Sequence, residues 1–236
     1  MPCPRHALAA THGDYCAACL LEEALASADT VAPTSTVMEA MDKKHRGGTR
    51  HLTIQMPLGE SASASVFLVK GEDPGLRFLR LKTWRRPGAP GFLARFQHLQ
   101  EQLEGWDCEA IVPPLAASID ATGCPSVLSG FRQGVPILDR VKSGRLDPED
   151  ACARLTPLIE LTHRAHARGL VHGSIVPGNV IIQQGSASAC LLDFGLAPLF
   201  AIPGSEVAFA SADLAGFAAL ARTLRELPAP GPLPQL

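Results

Sequence analysis

The first half of the chain alternates apolar and polar residues in a way that predicts β-strands. Leu52, Ile54 and Met56 occupy every second position, and a continuous apolar run follows over residues 66–69. A period of two places successive side chains on opposite faces of a strand, which is typical of a half-buried sheet. The predicted strands of this half cover residues 52–56, 66–69, 78–81, 111–118 and 126–131.

The spacing changes to a helical one in other parts of the chain. Apolar residues recur every three or four positions from Phe92 to Leu103, which predicts a helix over residues 91–105. Pro148 directly behind Asp147 marks the start of another helix. The elements predicted for the second half are helices over residues 148–168 and 213–226 and strands near 170, at 180–182 and at 189–192. Strands concentrated in one half and helices in the other indicate an α+β fold with two lobes.

Composition narrows the class of protein. Of the 236 residues, 46% are hydrophobic and 19% are charged, and the formal net charge is −2. The apolar content is enough for a sizeable core, and the nearly balanced charge argues against a nucleic-acid partner. No segment approaches the run of about 18 apolar residues that a membrane span requires. The first residues lack an export signal, so we expect a cytoplasmic location and no membrane partner.

Candidate metal ligands crowd the N-terminus. Two residues separate Cys3 from His6, and two separate Cys16 from Cys19. Such paired spacing lets four ligands surround one tetrahedral Zn²⁺ in a closed, structural site. His12 is an alternative to His6 as the fourth ligand. A secreted disulfide scaffold would instead show a dense, even set of cysteines along a short chain.

Composition also divides the chain into segments. A stretch rich in Ser, Thr, Pro and Gly follows the cysteine cluster and is interpreted as a linker with one helical turn. The final residues are rich in proline and are predicted to be structureless. The predicted segments are a zinc-ribbon-like head at 1–25, a linker at 26–48, a folded domain at 49–227 and a disordered tail at 228–236.

Two motifs of the second half carry a family resemblance. The segment HGSIVPGN at residues 172–179 is followed, after a predicted strand, by Asp193-Phe194-Gly195. In order and spacing they resemble the catalytic loop and the DFG metal motif of bacterial Ser/Thr protein kinases. The resemblance extends over residues 58–227 and implies a two-lobed fold with a β-rich N-lobe and a reduced helical C-lobe. An unrelated hairpin with a buried carboxylate is the alternative.

The catalytic loop departs from this family at the residues that carry the chemistry. The resemblance places Ser174 at the aspartate base and Val176 at the lysine that steadies the transferred phosphate. A hydroxyl is not a base near neutral pH, and a valine side chain donates no hydrogen bond. Asn179 and Asp193, the magnesium ligands of the family, remain, as does His172. We therefore expect no catalytic residue in this loop.

The glycine-rich loop of the family is eroded as well. Only Gly59 and Val66 of its pattern are present, and Ser61 and Ala64 stand where glycines belong. A Cβ at these positions hinders close approach of the backbone to phosphate oxygens. Lys82 occupies the position of the phosphate-binding strand lysine, with a solvated strand lysine as the alternative. The resemblance therefore implies that ATP with Mg²⁺ binds weakly or not at all.

Two further positions weaken the resemblance to an active nucleotide site. Arg80 stands where the family has a small alanine, so its side chain is expected either to crowd the pocket or to turn outward and distort the strand. An alignment without gaps puts Leu99 at the helical glutamate that pairs with the lysine. Glu101 lies about 200° round the helix on the opposite face and is predicted to be a solvated surface charge.

The chain is short behind the DFG-like motif. Asp213 resembles the aspartate that opens the central C-lobe helix and holds the backbone of the catalytic loop. The sequence that follows Gly195 has no Ala-Pro-Glu motif, and the later C-lobe helices of the family have no counterpart. We therefore expect a truncated C-lobe without a platform for a peptide substrate.

Together these features predict a pseudokinase, a protein-binding or allosteric regulatory module without phosphotransfer activity. The expected partner is another protein, such as an active kinase or another signalling protein. The alternative is a weak or atypical ATP-dependent Ser/Thr protein kinase that uses Asp193 and Asn179 for Mg²⁺. A decayed fragment is a third interpretation, although the presence of both metal ligands argues against it.

Overall fold

The computed structural model describes residues 35–42, 47–71, 78–106, 109–186, 188–201 and 206–228. The predicted zinc ligands lie outside the described residues: Cys3, His6, Cys16 and Cys19. Nearly all of the predicted tail lies outside them too. Across the described part of the chain, no helix has the length and apolar character needed to cross a membrane.

Six antiparallel strands close into a barrel in the first half of the chain. They are β1 (Ser35–Asp42), β2 (Gly47–Glu60), β3 (Ala64–Gly71), β4 (Leu79–Trp84), β5 (Pro114–Ile119) and β6 (Pro125–Gly130). Their order is β1-β2-β3-β4-β6-β5, and β1 pairs with β5 to close the ring. The barrel carries a buried apolar cluster, formed by Leu52, Val69, Leu79, Leu81, Ala116 and Leu128. Burial of one face specifies the register of the strands, because a slip of one residue would expose every apolar side chain.

Strand β1 lies within the segment that the sequence predicts as a linker, residues 26–48. The structure has a strand over Ser35–Asp42 in place of the predicted helical turn. Its pairs run along β2 from Ser35 with Thr53 to Met41 with Gly47. The Ser, Thr, Pro and Gly around this strand favoured a linker, whereas its pairing with β2 and β5 is a tertiary feature.

The second half is mainly helical and carries a small antiparallel sheet. The helices of the chain are α1 (Phe92–Gln102), α2 (Ile137–Lys142), α3 (Pro148–His166) and α4 (Glu206–Arg225). The sheet consists of β7 (Gly134–Pro136), β8 (Val180–Gln183) and β9 (Ala189–Leu191), in that order. Two 3-10 turns lie at Pro177–Asn179 and Ala197–Phe200. The larger apolar core joins α1, α3 and α4 to this sheet.

Helix α3 begins and ends where local sequence signals predict. The Asp147 carboxylate accepts a hydrogen bond from the backbone N–H of Glu149 at 2.7 Å, and Pro148 occupies the first turn. Gly169 follows the helix with a φ of 75°, a left-handed conformation that glycine adopts without strain. These signals are local, so the sequence was sufficient to predict this element.

Two predictions for the second half need correction. Helix α4 begins at Glu206, so Asp213 lies fully buried inside the helix and not at its start. The polar residues around Ser211 resemble a cap, but the alanines upstream of them favour helix and extend it. The strand predicted near residue 170 is wrong, because residues 170–176 form no strand. An apolar run alone does not distinguish a strand from another buried segment.

Candidate ligand cleft and catalytic loop

A cleft of about 420 Å³ is lined by residues of both the barrel and the small sheet. Gly59, Val66 and Lys82 line it from the barrel, and Asn179 lines it from the catalytic loop. Asp193 reaches the cleft through its contact with Lys82. The structure thus brings together the residues predicted to bind a cofactor, and their role in binding stays a prediction.

Asp193 accepts hydrogen bonds from two cations of strand β4. Its Oδ1 lies 2.5 Å from Nη1 of Arg80, and its Oδ2 lies 3.2 Å from Nη2 of Arg80 and 2.7 Å from Nζ of Lys82. The side chains of Arg80, Lys82 and Asp193 are 11%, 20% and 4% exposed. Burial raises the pKa of Asp193, but the charges and hydrogen bonds of Arg80 and Lys82 outweigh it and lower the pKa to about 2. The carboxylate is therefore ionised, and both of its oxygens accept hydrogen bonds.

The sequence left two positions open for the side chain of Arg80, inside the pocket or turned outward, and the structure places it inside. It points inward and lines the cleft, and strand β4 stays paired with β3 on both sides of it. Residues two apart share one face of a strand, so the alternation along β4 was a signal that Arg80 and Lys82 lie side by side. The sequence reasoning missed that Asp193 is their common partner.

This arrangement does not fit a magnesium ion at Asp193. Mg²⁺ requires oxygen ligands in nearly octahedral geometry at about 2 Å. The oxygens of Asp193 face a guanidinium and an ammonium instead. The side chain of Asn179, the other predicted magnesium ligand, donates from Nδ2 to the backbone carbonyl of Ser174 at 2.9 Å. Over the residues that the structure describes, no cluster of three or more His, Cys, Asp or Glu side chains is arranged to hold a metal.

The backbone of the DFG motif is tightly constrained. Asp193 has a φ of 61°, and a left-handed conformation costs about 1–2 kcal/mol for a residue with a side chain. Gly195 has a φ of 74°, and a Cβ added to it would lie 2.5 Å from Cδ1 of Leu99. Backbone strain of this kind clusters at functional sites. Helix α1 therefore packs on the motif at Gly195, and the two cations of β4 bind it at Asp193.

Helix α1 presents Leu99 to this motif, as the ungapped alignment implied. Leu99 is buried against Gly195. Glu101 is exposed, which confirms the prediction that it is a surface charge. Lys82 consequently pairs with Asp193 rather than with an acidic residue at the position of Leu99.

Asp213 holds the backbone of the catalytic loop, as predicted. Its Oδ2 accepts a hydrogen bond from the backbone N–H of His172 at 2.8 Å, and its Oδ1 accepts one from the N–H of Gly173 at 2.7 Å. Nε2 of His166 lies 3.0 Å from Oδ2. Gly173 has a φ of 80°, and a Cβ added to it would lie 2.7 Å from Cδ of Pro198. The loop is thus fitted closely to helix α4.

His172 is a buried ring that ties the loop to the DFG motif. Its Nδ1 accepts a hydrogen bond from the N–H of Ser174 at 3.2 Å, so the proton resides on Nε2, which donates to the carbonyl of Leu192 at 2.9 Å. Burial lowers the pKa of His172, and nearby carboxylates oppose this only in part. The ring meets that of Phe194 edge to face at 5.4 Å. His172 therefore supports the loop and is neutral near pH 7.

The described lining of the cleft is poor in acidic groups. Val176, at the position that the resemblance assigns to the phosphate-binding lysine, is 45% exposed. Among the described residues that line the cleft, Glu60 is the one carboxylate, and it pairs with Arg85. Ser174 contributes its backbone to the loop through its N–H and its carbonyl oxygen. The main chain of Ser174 therefore helps to shape the loop.

The turn between β2 and β3 uses its backbone donors internally. The N–H of Ser61 donates to the carbonyl of Ala64 at 2.8 Å, and Oγ of Ser61 accepts from the N–H groups of Ala64 at 3.1 Å and Ser63 at 3.3 Å. Donors that are used inside a turn are not presented to a phosphate, unlike those of a phosphate-binding loop. The segment is therefore a β-hairpin turn that closes on itself.

Comparisons with known proteins agree with this geometry. No family model matches the chain. The chain is 29% identical over 164 residues to the serine/threonine-protein kinase PkaB of Streptomyces coelicolor, in an alignment that covers 66% of this chain and 39% of that protein. The crystal structure of Rad53 1-466 in complex with AMP-PNP is similar with a TM-score of 0.57 at 19% identity, covering 72% of this chain and 47% of that one. The chain thus spans less than half the length of either protein. Its fold is a protein-kinase-like α+β fold, and its sequence is weakly similar to that of a bacterial Ser/Thr kinase.

Proposed function

We propose that the chain is a pseudokinase, a kinase-shaped module that binds or regulates a protein partner without transferring phosphate. One observation carries this proposal. The catalytic loop is held in place by Asp213, yet Ser174 and Val176 stand where the transfer reaction needs a carboxylate and a cation. In protein kinases an aspartate of this loop accepts the proton of the substrate hydroxyl.

The shape of the loop is maintained by groups that do no chemistry. His172 is neutral and buried, and Asn179 is used to close the loop on the carbonyl of Ser174. Gly173 fits against Pro198 with no room for a side chain. A loop that keeps this packing without a base supports a binding role, because binding requires a surface of defined shape.

The apolar surface beside the loop supports a protein partner. Val176 and Leu214 are 45% and 52% exposed, and helix α4, which carries Leu214, packs on the loop through Gly216 and Ile175. Two exposed apolar side chains are a small surface by themselves, and they offer contact points beside the loop for a protein partner. An active kinase or another signalling protein is the partner that we propose.

The alternative is a weak ATP-dependent kinase that uses Asp193 and Asn179 for Mg²⁺. The presence of both residues near one cleft favours it. The pairing of Asp193 with Arg80 and Lys82 opposes it, because the carboxylate must leave both cations before it can hold a metal.

The experiment that decides between them is a radiolabelled-phosphate assay of the wild type and of Ser174→Asp. We expect background incorporation from both proteins, in autophosphorylation and on generic protein substrates. Restoring the base leaves Val176 and the Arg80 pair unchanged, and groups that act as a unit are not recovered one at a time. Ser143→Asp, the same change on an exposed serine at the end of α2, is the control. Incorporation above background by the wild type would falsify the proposal, whereas robust incorporation by Ser174→Asp alone would show that the missing carboxylate is the one defect of the loop.

The zinc head is a separate proposal that rests on the sequence. Purified protein should contain close to one Zn²⁺ per chain, and Cys16→Ser should release it because a four-ligand structural site depends on each thiolate. Elemental analysis of metal content measures both. Protein prepared without chelators and free of zinc contradicts the prediction.

A further inference from the structure

Strand β4 carries two cations that face a single buried carboxylate. Arg80 and Lys82 both bond to Asp193, so the three side chains together carry one net positive charge. Glu60, which also lines the cleft, is neutralised by Arg85. The cleft is therefore cationic at its inner end.

The two cations have hydrogen-bond donors to spare. A guanidinium has five N–H groups and an ammonium has three. The contacts with Asp193 use two donors of Arg80 and one of Lys82. Both side chains line the cleft, and Arg132 lines it too and is exposed. Planar guanidinium donors together with an ammonium match the oxygens of a phosphate group.

We propose that this cleft binds a phosphate-bearing small molecule, such as a nucleoside diphosphate, without a divalent metal, and that Arg80 is the residue that makes it independent of metal. The guanidinium donates to both oxygens of Asp193, which are the atoms that would otherwise be available to hold a metal. A divalent ion placed there would meet two positive charges and would have to displace Arg80. A phosphate group without a metal would instead accept hydrogen bonds from Arg80 and Lys82.

The remaining walls suit a ligand of this class. The cleft volume of about 420 Å³ lies within the range of about 300–1,000 Å³ that is usual for small-molecule sites. Its apolar lining can cover a planar base and comprises Leu58, Val66, Phe131, Ile181 and Leu192. The self-contained turn at Ser61 presents few free backbone donors, so the phosphate depends on the side chains of β4.

Isothermal titration of the wild-type chain with ADP and with inorganic pyrophosphate tests the proposal, each in EDTA and in excess Mg²⁺. We expect both probes to bind in EDTA, and we expect Mg²⁺ to leave the affinity unchanged or to weaken it, since it reduces the negative charge of the ligand. Binding that requires Mg²⁺ overturns the proposal, as does the absence of binding in EDTA. Binding of ADP without binding of pyrophosphate also overturns it, because the base and not the phosphate would then be recognised.

Variants of Arg80 test whether this residue makes phosphate binding independent of metal. Arg80→Ala should weaken metal-free binding at least about tenfold, because hydrogen bonds to charged groups are lost, and Mg²⁺ should now improve binding because Asp193 is released. Arg80→Lys keeps the charge without the planar fork and should lose less. Lys70→Ala removes an exposed cation from the neighbouring strand β3 and should change neither affinity nor metal dependence. An Arg80→Ala protein that binds as the wild type does contradicts the proposal.

The outcome is separable from that of the proposed function. Phosphate transfer by the wild type overturns the pseudokinase proposal and leaves metal-free binding to be judged by titration. Binding that depends on Mg²⁺ without transfer overturns only the inference about Arg80. If Arg80→Ala does not fold, the wild-type titration and Arg80→Lys still decide.

Discussion

Two buried carboxylates, Asp213 and Asp193, hold the two halves of the candidate site in different ways. Asp213 accepts hydrogen bonds from the backbone N–H groups of His172 and Gly173. Asp193 accepts its hydrogen bonds from the charged side chains of Arg80 and Lys82. The first carboxylate supports the main chain of a loop, whereas the second joins a strand of the barrel to the DFG motif.

The difference separates a contact that depends on the backbone from one that depends on particular side chains. Backbone N–H groups are present at every residue except proline, so the partners of Asp213 persist when side chains change. The partners of Asp193 are particular side chains and change with one substitution. The loop therefore depends on backbone contacts, while the surroundings of Asp193 depend on two particular side chains.

The largest effect is expected from Asp213→Ala. The substitution leaves two buried N–H groups without an acceptor and should lower the free energy of unfolding by about 3–5 kcal/mol. Urea denaturation followed by circular dichroism measures the change. Asp139→Ala, at an exposed aspartate of α2, is the matched control and should change it little. A small loss for Asp213→Ala would mean that the loop does not depend on this carboxylate.

The ion pair between Arg80 and Asp193 should respond differently, because a double variant removes both of its charges. Arg80→Met should destabilise the fold by about 3 kcal/mol, since it leaves a buried carboxylate with only Lys82. The double variant Arg80→Met with Asp193→Asn should be less destabilised than the sum of the single variants, with a coupling energy of about 1–3 kcal/mol. Asparagine tolerates the left-handed backbone at this position.

The measurement for this cycle is the free energy of unfolding of the four proteins in urea. If the two single losses of unfolding free energy simply add, Arg80 and Asp193 do not stabilise each other. The contrast between a side-chain contact at Asp193 and a backbone contact at Asp213 would then fail.

A smaller effect is expected from pH. The pKa of Asp193 is lowered to about 2 in the folded protein, below the value of about 3.9 for an unfolded aspartate. A lowered pKa stabilises the fold fully above the unfolded value, and this contribution of about 2 kcal/mol is lost as the pH falls from about 5 towards 2. Urea denaturation across this range should show a steeper loss for the wild type than for Asp193→Asn. Parallel curves would show that the cations do not stabilise the ionised form.

Local signals in the sequence were enough for several elements. The Asp147 cap and Gly169 determined the ends of helix α3, and helical spacing of apolar residues predicted α1. Strand β1 escaped prediction because the Ser, Thr, Pro and Gly around it are typical of a linker, while its pairing with β2 and β5 is visible only in the fold. The early start of α4 escaped because a cap-like sequence occurs inside the helix.

The sequence by itself determined the residue types of the site: the absence of a carboxylate at Ser174, the presence of Asp193, and two cations on one face of β4. Only the tertiary structure decided that Arg80 turns inward and that Asp193 meets it. The reason is physical. Alternation along a strand specifies a face, but an ion pair between a strand and a distant loop depends on how the barrel and the small sheet pack together.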